Sequence, residues 1–152
     1  ARVPWSVARP GETLLRRPGV TLTALACGGD GMGENDGSLA LLLECDGVRP
    51  LLPADREEKG LRALLDEGVP RCAVLVAPHH GAKCDEAAAL GRAIRPGLML
   101  VSATAGFPDA PTLSRYGAAR TLATPECGAV AVRFRGDAAL PVPFRRASIR
   151  AP

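Results

Sequence analysis

An apolar run of strand character, Cys72 to Ala77, stops at Pro78, and the next two residues are His79 and His80, the only histidines among 152 residues. Gly81 follows at once. Around this stretch strand and helix alternate. Leu61, Leu64 and Leu65 recur at helical spacing within 56–67 and Gly68 closes that helix; Ala87, Leu90 and Ile94 share one face of a second helix over 85–95, stopped by Pro96. Leu98 to Ser102 is the next strand. This alternation points to an α/β layered fold with a mixed β-sheet and flanking helices. A strand that delivers imidazoles at its carboxyl end is where such folds place metal or catalytic sites, with Gly81 relaxing the backbone so that the two rings need not point to opposite faces.

Before the alternation the pattern is β. Val20 to Cys27 alternates apolar and polar residues and reads as a strand. Residues 28–37 hold five glycines with Asp30, Glu34, Asn35 and Asp36, a flexible loop. The apolar runs Ser38 to Glu44 and Val48 to Leu52 are joined by Cys45-Asp46-Gly47, and Asp-Gly between such runs signals a hairpin. Pro50 should make the second run an edge strand or one that ends in a bulge. Ala103 to Ala110 reads as a loop, Pro111 to Tyr116 as a short helix with Asp109 as its N-cap, and Leu122-Ala123, Ala129 to Phe134 and Val142 to Arg146 as late strands. One domain over 20–147 accounts for this, with residues 1–19 as an opening segment that has room for one short strand and 148–152 as a tail.

The chain is long enough for one core and too short for two. Aromatics are 3% of it, so Leu, Val and Ala must build that core and no platform for stacking bases is available. The net charge of +3, with pairs at Arg16-Arg17 and Arg145-Arg146, is compatible with nucleic acid without requiring it. The five cysteines (Cys27, Cys45, Cys72, Cys84, Cys127) form no C-x-x-C pair and read as small buried residues rather than a zinc cluster or disulfide framework. No apolar run is long enough to cross a membrane, and no signal peptide is visible. Position 1 is Ala, so the chain is either processed or a piece of something longer.

E-N-D-G-S-L-A-L-L-L at 34–43, L-L-P-A-D at 51–55, V-A-P-H-H-G-A at 76–82 and V-S-A at 101–103 follow one another in an order and spacing that resembles the C-terminal part of the metallo-β-lactamase-like domain of the ComEC family. These are competence proteins of bacterial DNA uptake, whose corresponding motifs are N-D-x-S-L-V-L, L-L-T-G-D, V-P-H-H-G-S and V-I-S-V-G. The resemblance covers about Gly11 to Phe134. It implies part of an αββα sandwich in which Asp55 and His79 or His80 are metal ligands, for a divalent zinc or manganese ion. It also implies a soluble domain of an inner-membrane protein, with DNA and the channel portion of the same protein as partners. In such enzymes two ions about 4 Å apart activate water for attack on a phosphodiester. The expected task is degradation of the DNA strand that is not transported, with Asp55, His79 and His80 as the catalytic residues and surface arginines holding the DNA backbone.

Four departures stand beside the matches. The H-x-H-x-D-H motif that supplies most metal ligands in this superfamily is absent; L-L-T-G-D is L-L-P-A-D; Ala82 replaces a serine; and 106–111 holds no histidine where the family often has G-H-P. The chain is thus a truncated domain or a member without the site, and these 152 residues alone are expected to bind metal weakly or not at all and to cut no DNA. The same residues have structural readings. Asp55 with Glu58 forms a capping box, the histidines end a strand against backbone carbonyls, and Asn35, Asp36 and Ser38 make a turn. Three functions follow: part of a metal-dependent nuclease or phosphodiesterase, a non-catalytic module that docks DNA or a partner beside the channel, or a cytosolic metal hydrolase unrelated to competence. If one layer of the sandwich is missing, an uncovered apolar face or edge should drive the chain to a homodimer.

Overall fold

A computed structural model describes residues 6–26, 28–29 and 31–144. Cys27, Asp30, the Arg145-Arg146 pair, the end of the strand expected over 142–146 and the tail lie outside the described residues. Seven strands form one sheet in the order β1 (Thr13–Arg17), β2 (Val20–Ala26), β3 (Ala40–Cys45), β4 (Pro50–Leu52), β5 (Val74–Val76), β6 (Leu98–Val101) and β7 (Arg120–Ala123). The first four pair antiparallel and β4 to β7 pair parallel, which makes the sheet mixed. A separate hairpin, β8 (Val130–Arg135) and β9 (Ala138–Pro143), completes the β structure.

Parallel neighbours need a crossover. Helices α1 (Glu58–Asp66), α2 (Ala87–Ile94) and α3 (Ala110–Arg115) supply the three that the parallel strands require, while the short α4 (Thr124–Cys127) follows β7. Strand alternation splits the sheet residues between two cores. Leu51, Leu75 and Met99 pack with Leu61 and Leu64 of α1, Leu90 and Ile94 of α2, and Tyr116. Val74, Leu98 and Leu122 instead meet Cys127 and the hairpin residues Val130, Val132, Phe134 and Ala139. The molecule is an α/β fold with flanking helices on one face of the sheet and a β-hairpin on part of the other. Each of the fully buried leucines contributes about 2 kcal/mol.

The Asp-Gly hairpin forms as its sequence requires. Asp46 (φ 48°) and Gly47 (φ 87°) both take left-handed backbone, and Cys45 and Val48 exchange two hydrogen bonds of 2.9 Å. Pro50 does not make β4 an edge: β4 is the central strand of the sheet. Proline is tolerated because it is the first residue of the strand, where no ladder hydrogen bond depends on its nitrogen. The opening segment contributes β1, an edge strand paired to β2. Cys72, Cys84 and Cys127 are buried, and burial pushes the Cys72 thiol up to about 11, so it stays protonated and behaves as a small apolar group.

Candidate functional site

Three parallel strands end side by side, and the segments after them converge. Pro53 to Glu57 follows β4, Ala77 to Ala82 follows β5, and Ser102 to Asp109 follows β6. Outside the carboxyl ends of parallel strands is where open α/β sheets bind ligands. Two backbone hydrogen bonds tie the segments together: His79 N donates to Ala54 O at 3.0 Å, and Asp109 N donates to Gly81 O at 2.8 Å. Asp109 caps α3 by accepting from Thr112 N at 3.0 Å, and these hydrogen bonds from Thr112 hold its carboxyl below the usual range.

The turn Pro78–Gly81 presents both imidazoles through left-handed backbone: His79 has φ 44°, His80 φ 57° and Gly81 φ 82°. The relief expected from Gly81 alone is therefore shared by three residues. At Gly81 a side chain would also collide with Leu113, 2.9 Å from its Cδ2. Left-handed backbone costs a residue with a Cβ roughly 1–2 kcal/mol, so the two histidines are held against their own preference.

Each ring commits its Nδ1 to an oxygen. His80 Nδ1 lies 2.7 Å from Ser102 O, and a carbonyl only accepts, so Nδ1 carries a proton. Its Nε2 is 3.5 Å from Asp55 Oδ1. His79 Nδ1 is 3.0 Å from Glu57 Oε1, an oxygen that also accepts from Asn35 Nδ2 at 2.9 Å. Both rings thus hold their Nδ1 protons on oxygen acceptors and turn Nε2 to other work, the arrangement that a metal-ligating or proton-shuttling histidine needs. Phe107 stands over the pair, its ring centroid 6.1 Å from His80 and 6.4 Å from His79. Phe107, His80, Ser102, Ala103 and Thr104 line an open cleft of about 420 Å³.

Asp55 and His80 are thus brought together, whereas His79 turns to Glu57. Asp55 is not the cap of α1. The helix begins at Glu58 with no cap from its N-terminal neighbour, and Asp36 Oδ1, from the glycine-rich loop, accepts from Glu57 N at 3.1 Å and Gly60 N at 2.8 Å. Asp55 is left to face the histidine. Sequence reasoning missed Glu57, because a glutamate in the charged run before a helix reads as solvated surface, and gave Phe107 no role. An aromatic in a loop of a chain so poor in aromatics was the available signal.

The donor chemistry of Asp55, His79 and His80 suits a divalent ion such as zinc or manganese. Among the described residues, no group of three or more His, Cys, Asp or Glu side chains is arranged to hold one. The donor types fit and their number does not complete a site. No helix among the described residues is long and apolar enough to cross a membrane. Comparison with protein-family models, curated proteins and solved structures gives no match for this chain.

Proposed function

We propose that this chain is part of a metal-dependent hydrolase domain of the ComEC kind, acting on DNA phosphodiesters during uptake, with Asp55, His79 and His80 forming one wall of its metal site. One observation carries the reading. Two imidazoles at the tip of one strand, β5, have their Nδ1 protons fixed by Ser102 O and Glu57, and one of the remaining nitrogens faces Asp55 at the tip of the adjacent parallel strand β4. Metal-ligating histidines are oriented in this way, by a carbonyl or a carboxylate behind the ring. When bound, the ion would supply an activated water near neutral pH. The chain's own part is to hold the rings through Ser102 and Glu57 and to place Asp55 beside His80. With two histidines in 152 residues, the family's H-x-H-x-D-H ligands would come from outside this stretch.

The second reading, a module that docks DNA or a partner without chemistry, is favoured by the incomplete donor set. Titration of the chain with manganese, followed by electron paramagnetic resonance, tests both readings, because thiolates compete poorly for this ion. The expected result is weak binding that disappears in Asp55→Ala and in His80→Ala, with no cleavage of plasmid DNA. Binding that survives both substitutions would remove these residues from the metal site and leave the docking module. Tight stoichiometric manganese or metal-dependent cleavage would instead show that the site is complete within these residues.

A further inference from the structure

The β8–β9 hairpin has two unlike faces. Val130, Val132, Phe134 and Ala139 pack on the sheet. The alternate positions, Ala131, Arg133 and Arg135 on β8 and Leu140 and Val142 on β9, are exposed. Leu140 is 48% exposed, Val142 42%, and Phe144, one residue past β9, 82%. Phe144 N donates to Ala129 O at 2.7 Å, so the pairing runs on and Phe144 continues the row. Cross-strand register sets Arg133 opposite Leu140 and Ala131 opposite Val142. The outcome is a row of three apolar side chains with two guanidinium groups alongside, neither of them in an ion pair among the described residues. Single apolar residues on a surface need no explanation, but a row in register does.

The outer edge of β9 does not invite another strand. Phe144 donates inward, so the alternate residues Pro143 and Pro141 carry their nitrogens on the outer side, and proline has no N–H to offer there. On the β9 side the face, not the edge, is the contact surface. Two copies pressed face to face would gather four guanidinium groups against only the Asp137 carboxylates at the turns. Nucleic acid would satisfy the arginines but leave Leu140 and Val142, which have no π-face for a base, against a polyanion.

We propose that this face docks on an anionic lipid surface. Leu140, Val142 and Phe144 enter the boundary between headgroups and acyl chains, while Arg133 and Arg135 lie along it and hold lipid phosphates. Phe144 is followed in the sequence by Arg145 and Arg146, further charge of the same sign. The docking rests on the hairpin alone and stands or falls separately from the hydrolase reading.

Flotation of the full chain with vesicles of phosphatidylcholine, with or without phosphatidylglycerol, tests it. The wild type should float with the anionic vesicles and stay behind with the neutral ones. Arg133→Gln with Arg135→Gln should lower binding about fivefold per arginine, because each contributes about 1 kcal/mol near such a surface. The triple variant Leu140→Ser, Val142→Ser, Phe144→Ser should abolish it, while its circular dichroism spectrum shows that the fold is retained. Wild-type binding that ignores phosphatidylglycerol, an absence of flotation, or variants that float like the wild type would overturn the proposal. So would loss of self-association in the triple variant, or salt-sensitive duplex DNA binding that the arginine variant loses, if vesicles have no effect.

Discussion

Position 36 has taken the capping role that local pattern would give to position 55. Asp55 precedes the helix with Glu58 three residues on, yet the helix takes its cap from Asp36 Oδ1, across the chain. Asp36→Ala should therefore cost about 1–2 kcal/mol, the usual penalty for losing an N-cap, whereas Asp55→Ala should stay within about 0.5 kcal/mol because its pairing with His80 is half exposed. Urea midpoints of the two variants measure this. The reversal was not legible in the sequence, since no spacing rule connects a glycine-rich loop to a helix more than twenty residues away. His79 and His80 were legible as a pair, and the left-handed backbone that presents them was not, because propensity alone assigns it to Gly81.

Among the helices, glycine sets the distance of approach. At Gly60 an added Cβ would lie 2.5 Å from Asp36 O, so the glycine lets the capping loop rest on α1. At Gly91 on α2 it would lie 2.7 Å from the Tyr116 carbonyl carbon, at the end of α3. Intrinsic propensity favours alanine over glycine in a helix by about 1 kcal/mol. Packing should win here. Gly91→Ala is expected to lower stability by about 1–3 kcal/mol, because the backbone it meets must move, and thermal or urea unfolding will show the sign. Helices α1 and α2 were legible in their apolar spacing, α3 in Asp109 and Pro111, and the hairpin in Asp46-Gly47, since in each case a local rule carries the information, whereas the short α4 was not foreseen. The central place of β4 was hidden because it is set by strands 74–76 and 41–42, remote partners that no local rule names.

Across the whole molecule, the two faces of the sheet are unequally covered. Leu15 stands opposite Leu22, Leu22 opposite Leu43, and Leu41 opposite both Ala24 and Leu52, a continuous apolar row. The hairpin reaches the β5–β7 end of that face, and the leucines from β2 to β4 remain only half buried. Leu14 and Leu15 on the edge strand are 39% and 40% exposed. Packing this row against its counterpart in a second copy would bury it as two sheets do in a sandwich. A dimer is therefore expected at modest concentration in light scattering, and a monodisperse monomer would show that the row tolerates water. The order of strands carries a different consequence. Position in the sheet follows position in the chain from β1 to β7, so each new strand can join the margin left by its predecessor as the polypeptide leaves the ribosome, and no earlier pairing has to reopen to admit a later one.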